Sequence, residues 1–193
     1  MKSPILIAAL MIVVGAPALT ENNHQPYKGF ETRDIASLSK KDIGELQSGA
    51  GWGLALPAEL NGFPGPAHVL ELQVDLELSP SQAIEMQAIF DAMKVEAVTQ
   101  GNVLIKAERD LDQGFKSGGL SPEKLRSLIT AAEAARANLR YIHLSRHLMS
   151  FDVLSAGQIS KYSELRGYTS DPCQSVPDGH DAEMWRRHNG CGD

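Results

Sequence analysis

Apolar residues recur in steps of three and four along two long stretches of the chain. In the first, Met86, Phe90, Met93, Ala97, Leu104, Ala107, Leu111 and Phe115 form one stripe interrupted by Gln100. In the second, the stripe is Leu125, Leu128, Ile129, Ala132, Ala135, Leu139, Ile142 and Met149. Such spacing is that of a helix burying one face. A glycine-rich stretch, residues 114–119, separates the two. Two long helices joined by a short turn predict an antiparallel helical hairpin. Short flanking helices are predicted after Ser39 to near Gly49, from 67 to about 76, and after Ser155 to near Gly167. Residues 168–193 show no helical period. The expected fold is therefore all-α. Within the first long helix Gly101 is expected to be a weak point, by about 1 kcal/mol relative to alanine.

Four leucine–serine pairs stand where these helices should begin: Leu38-Ser39, Leu78-Ser79, Leu120-Ser121 and Leu154-Ser155. A serine there accepts a hydrogen bond from an otherwise unpaired amide of the first turn. Three residues on, Gln82 and Gln158 complete a capping box, Asp42 makes an imperfect one, and Lys124 makes none. Pro80 and Pro122 occupy the first helical position, where a missing N–H costs nothing.

Residues 48–66 are the least regular part, with five glycines and three prolines. They also carry Trp52, Leu54, Leu56, Leu60 and Phe63, which a merely flexible linker would not need. An ordered loop that packs onto the helices is expected. The start of the chain reads differently again. Lys2, an apolar run over residues 5–14 and Ala16-Pro17-Ala18 have the order of a secretory signal, with cleavage expected after Ala18. The chain is thus divided into a signal (1–18), an N-terminal segment (19–66), a helical domain (67–167) and a tail (168–193), and a periplasmic location is expected. A formal charge of −6 argues against a nucleic-acid partner. A hairpin buries only one stripe per helix, so a symmetric homodimer is a further expectation.

With LSPSQ (residues 78–82) opening one long helix and LSAGQ (residues 154–158) opening another beyond the hairpin, the chain resembles the LTxxQ family of Spy and CpxP, which includes periplasmic heavy-metal-resistance proteins. Serine replaces the usual threonine in both motifs, and either hydroxyl caps a helix. The resemblance spans residues 76–165. It implies an exported, non-enzymatic helical protein, often a cradle-shaped dimer. Some members are ATP-independent chaperones for unfolded polypeptides; others bind zinc, nickel, cobalt or copper in envelope stress or metal sensing. It gives residues 52–66 no role.

Two groups of residues carry candidate metal chemistry. His143 and His147 are four apart on one helical face and can share a transition-metal ion. Arg136 and Arg140 lie on that face too and disfavour a cation, so the alternative is a basic solvent face or dimer rim. In the tail, Cys173, His180, His188 and Cys191 offer two sulfurs and two imidazoles for zinc, copper or nickel. Their spacing fits no standard finger, and in an oxidising compartment the alternative is a Cys173–Cys191 disulfide. His24 and His68 read as lone surface residues. Glu108, Asp110 and Asp112 read as a solvated acidic face. No nucleophile–base set is present, so an enzyme is not expected. The leading expectation is a metal-binding envelope protein with the tail as its site. The alternatives are a chaperone, with Arg126, Arg136, Arg140 and Arg146 supplying charge, or a sensor docking on a membrane partner.

Overall fold

A computed structural model describes residues 25–168 and 181–188, apart from the side chains of Trp185 and His188. The signal (1–18), Cys173, His180, Cys191 and the His188 side chain, and with them the choice between disulfide and metal, lie outside the described residues. The all-α expectation is borne out: among the described residues every regular element is helical, with one isolated bridge, Ile35 to Leu38. After a single 3-10 turn at Phe30–Thr32 come α1 (Lys40–Ser48), α2 (Leu56–Glu59), α3 (Pro66–Glu71), α4 (Pro80–Lys116), α5 (Pro122–Val153), α6 (Ala156–Leu165) and α7 (Ala182–His188). No described helix is long and apolar enough to cross a membrane.

All four serines cap as expected. Ser39, Ser79, Ser121 and Ser155 each accept a hydrogen bond from the amide three residues on. Asp42 makes a complete box rather than an imperfect one, its Oδ2 accepting from the Ser39 amide at 2.8 Å. Gln82 and Gln158 do more than cap. Each side-chain oxygen accepts from its own serine amide at 3.0 Å, and each side-chain nitrogen donates to the other's oxygen, at 2.8 and 3.1 Å. The Gln82 nitrogen also donates to the Val153 carbonyl at 2.9 Å, and that of Gln158 to the Leu76 carbonyl at 3.1 Å. The start of α4 is thereby bolted to the start of α6 through two fully used amides.

α4 and α5 pack against each other, with Glu108 meeting Arg136 and Glu96 meeting Arg146. Their buried stripe differs from the one drawn from periodicity. On α4 it widens to include Ile89, Gly101, Ile105 and Glu108, while Phe115 is exposed. On α5 it runs through Leu139 to His143, His147 and Ser150, while Ile129 and Met149 are exposed. The reason is the N-terminal segment, which lies on one side of the helix pair and rotates the buried face toward itself. Gly101 is where α1 crosses: a Cβ there would collide with the Leu46 carbonyl. The residue read as a weak point in the helix is the one that lets α1 reach α4.

Two apolar clusters result. Ile35, Leu38, Leu46, Ala97, Leu104, Ile105, Ala135 and Leu139 form one, with Trp52 and Leu54 packed on it. Val69, Leu76, Met86, Leu154 and Tyr162 form the other. α3 stops at Glu71, short of the expected 76, and continues as turns that bring Leu72 and Leu76 to the second cluster. α7 lies in the tail where no period was seen. Asp181 caps it by accepting from the Met184 amide at 2.9 Å, and Glu183 pairs with Arg187 at 2.9 Å. Such local polar support leaves no apolar stripe to read.

Candidate functional site

Within residues 48–66 there is a single charge, Glu59. Pro57 at the start of α2 sets the short helix, and the turn closed by the Phe63 amide on the Ala58 carbonyl at 3.0 Å reverses the chain. The extended Gly65 then feeds α3, whose first residue is Pro66. This path pushes Glu59 into the protein, where it is only 6% exposed.

The two carboxylate oxygens of Glu59 have unlike surroundings. Oε1 accepts hydrogen bonds from the Tyr162 hydroxyl and, at 3.1 Å, from the Tyr168 hydroxyl; His68 Nδ1 is also 3.1 Å away and Arg166 Nε 3.6 Å. Arg166 Nη2 in turn donates to the Tyr168 hydroxyl at 3.2 Å. Oε2 is buried with no hydrogen-bond partner. Burial alone would raise the Glu59 carboxyl, but the hydrogen bonds from His68 and Tyr162, the His68 charge and Tyr168 outweigh it and hold the group at about 2. Glu59 is therefore a carboxylate with one oxygen secured and one left open. Burial, and then the neighbouring carboxylate, push the Tyr162 hydroxyl the other way, so it stays protonated as a donor.

His147 faces the same space. Its Nδ1–H donates to the Phe63 carbonyl at 2.7 Å, and that nitrogen stands 3.7 Å from Glu59 Oε2. With Nδ1 committed, Nε2 is the ring nitrogen left for another partner. A backbone carbonyl holding one imidazole nitrogen so that the other is free is the usual support of a metal-ligating histidine. The Gly65 backbone passes so close that a Cβ would lie 2.8 Å from the His147 ring and 3.4 Å from Glu59 Oε2. One turn before His147, His143 is 3% exposed, and its Nε2 is buried without a partner. Burial first, then the nearby His147, hold the His143 imidazole below its ordinary value, which favours the neutral form.

Glu59, His68, His143 and His147 line a cavity of about 410 Å³. Much of the remaining wall is apolar: Trp52, Leu56, Pro66, Phe90 and Met93, with Lys94 beside them. Trp52 holds a left-handed backbone, φ 46°, unusual for an aromatic residue. Its indole N–H donates to Asp42 at 2.9 Å, and the Arg136 guanidinium lies 4.9 Å above the ring. Among the described residues no three His, Cys, Asp or Glu side chains are already gathered at ion-holding distances.

Four expectations are corrected. His143 and His147 are not on a solvent face; they continue the buried stripe below the Gly/Pro-rich segment. Arg136 does not oppose a cation beside them, since it pairs with buried Glu108 at 3.2 Å and stacks on Trp52. Glu108 is likewise no solvated residue: Ser37 Oγ donates to it at 2.8 Å. His68 is not alone, because it touches Glu59. Asp110 fits the solvated reading, paired to Lys106 at 2.6 Å, whereas Asp112 is half-buried and paired to Lys116 at 2.5 Å. Ser79, Gln82, Ser155 and Gln158 gather at the joint between α4 and α6, and Gln82 is not among the residues that line the cavity. The residues that sequence reasoning missed are Glu59, Tyr162, Tyr168 and Arg166. The available signal was Glu59 as the lone charge in an otherwise uncharged segment.

Comparison with protein-family models, with curated proteins and with solved structures finds no match for the chain.

Proposed function

We propose that the protein is an exported, non-enzymatic metal-binding protein of the cell envelope, built on a Spy/CpxP-like long antiparallel helical hairpin, with its ion in the pocket under residues 52–68. One observation carries the reading: Glu59 and His143, two residues that line a shared cavity, each hold a buried polar atom, Oε2 and Nε2, with no partner. Burying a polar group unpaired costs about 1–3 kcal/mol, and more for a charge. A divalent ion answers both atoms at once. The donors fit borderline transition metals, which accept imidazole and carboxylate together. A bound ion would have to draw Glu59, His143 and the Nε2 of His147 together as a three-ligand set. When bound, zinc, copper or nickel would supply charge compensation and a link between the segment and the hairpin. The tail residues Cys173, His180, His188 and Cys191 stand as a second candidate set. Calorimetric titration of the mature chain with Zn²⁺, Cu²⁺ and Ni²⁺ tests the reading. Affinity should fall at least tenfold in Glu59→Gln and His143→Ala, and persist in the double variant Cys173→Ser/Cys191→Ser. No binding tighter than about 100 μM, roughly −5.5 kcal/mol, would remove it.

A second reading, an ATP-independent chaperone, is favoured by a different observation. Ile84, Val95, Val103, Tyr141 and Leu148 are exposed on outward faces of the helix pair. Such exposed groups would give unfolded chains weak points of contact, and would serve a homodimer or a membrane-bound sensor partner equally. An aggregation assay in which excess protein leaves a denatured client's light scattering unchanged would count against it. Light scattering that finds only monomer would count against the dimer.

A further inference from the structure

We infer that the cavity binds a small aromatic monocarboxylate, its ring against the wall of Trp52, Phe90 and Met93 and its carboxylate met at the rim by Lys94. The inference goes beyond the metal-binding reading and does not rest on it, because the ligand uses neither Glu59 Oε2 nor the His143 ring. Charge is the first argument. The titratable side chains that line the cavity are Glu59, His68, Lys94, His143 and His147. Glu59 Oε1 already takes the Tyr162 and Tyr168 hydroxyls, with Arg166 3.6 Å away. His68, 3.1 Å from the same oxygen, is spent on it. His147 is bonded to the Phe63 carbonyl, and burial favours neutral His143. Lys94 remains. Its ammonium stands 6.0 Å from the Phe90 ring and meets no acidic group among the described residues. Asp91, one turn earlier, accepts from Gln87 at 2.9 Å, and Glu96 pairs with Arg146. The unanswered charge on this wall is therefore positive, and it selects an anion over an amine.

The second argument is the size and chemistry of the wall. A cavity of about 410 Å³ falls in the range of small-molecule sites, roughly 300–1,000 Å³. Trp52, Phe90 and Met93 supply two aromatic rings and a thioether, which favour contact with a further ring. Trp52 and Phe90 are half-buried, and Leu56 is 55% exposed although it lines the cavity. This apolar wall is thus open to water until a flat apolar body covers it. The third argument is preorganisation. The left-handed backbone of Trp52 is an unfavourable conformation for an aromatic residue. The bond of its indole N–H to Asp42 and the Arg136 guanidinium over its ring hold it there, so the wall stands in place before a ligand arrives. An aromatic acid matches both features: its ring covers the wall, and its carboxylate stays at the exposed edge beside Lys94.

The test titrates the mature full chain by calorimetry in EDTA, so that no metal contributes. The probes are 3-phenylpropionate, the matching alcohol 3-phenylpropan-1-ol and the matching amine 3-phenylpropylamine. The acid should bind 1:1 with a Kd near or below about 1 mM, as a ligand of this size can. The amine should bind at least about tenfold more weakly than the acid, with the alcohol between them. Lys94→Gln should weaken the acid about three- to tenfold, leave the alcohol unchanged, and be rescued by Lys94→Arg. Leu56→Trp, which narrows the entrance, should weaken acid and alcohol alike. The emission of Trp52, isolated by Trp185→Phe, should shift as the acid binds. No saturable binding of the acid, an alcohol or amine that binds as tightly, an acid affinity unchanged in Lys94→Gln, or a Trp52 emission that does not respond would each overturn the inference. Each of these results leaves Zn²⁺ affinity untouched, so the metal reading stands or falls by its own titration.

Discussion

The joint of Gln82 with Gln158 and the pocket of Glu59 with His143 are both polar, both built from residues distant in sequence, and opposite in one respect. At the joint the side-chain amides are used fully: each oxygen accepts twice and each nitrogen donates twice. In the pocket one carboxylate oxygen and one imidazole nitrogen are buried with nothing to bond. A satisfied buried network fixes a structure; an unsatisfied one lowers stability unless something arrives to complete it. The difference separates what specifies this fold from what the proposed binding role would use.

Substitutions sharpen that contrast. The largest effect is expected from Glu59→Ala, which strands the Tyr162 and Tyr168 hydroxyls and Arg166 around a hole. Breaking a buried charged set by removing one partner costs about 3–5 kcal/mol, to be read from urea unfolding. Acid should act on the same group. In the metal-free protein the Glu59 carboxyl is held at about 2 against an ordinary 4.5. Its contribution, about 3 kcal/mol, is therefore complete above pH 4.5 and lost as pH falls toward 2. His143, held below its ordinary 6.5, adds a milder loss that begins as pH drops under that value, because the unfolded chain then binds the extra proton. Unfolding free energy measured between pH 7 and 3 should fall monotonically, and a flat profile would contradict the arrangement around Glu59.

Gly101→Ala comes next. Helix propensity favours alanine by about 1 kcal/mol, but the added methyl meets the Leu46 backbone. A net loss of about 1–3 kcal/mol is expected from overpacking. A stabilised variant would show that α1 does not seat on α4 as described. At the joint, Gln82→Ala and Gln158→Ala should each cost about 1–3 kcal/mol, and the double variant clearly less than their sum, since each removes the other's partner. Strict additivity in that cycle would mean that the two amides do not bond each other.

The contrast also explains what could be read from the chain. Helix starts were legible because a cap is closed within four residues, so Ser79 with Gln82 and Ser155 with Gln158 announce themselves. Their mutual bond was not, because it joins positions 76 residues apart. Gly101 was misread for the same reason: propensity is local, whereas the need for a missing Cβ comes from α1. His143 and His147 keep the step of the buried stripe from Leu139, yet their polar identity pointed to the surface. Only the segment that covers them, whose Phe63 carbonyl lies 84 residues from His147, makes them interior. Glu59 was the hardest case, being identified by a tyrosine 103 residues away.

The central claim is that the unpartnered imidazole nitrogen of His143 serves a ligand and not stability. His143→Leu tests it most directly, because leucine fills a similar volume without an unpartnered nitrogen. Thermal unfolding of the metal-free variant and its Zn²⁺ affinity are measured together. The account predicts a melting temperature equal to or above that of the parent, with Zn²⁺ affinity reduced at least tenfold. A melting temperature lowered by several degrees with Zn²⁺ affinity unchanged would contradict it.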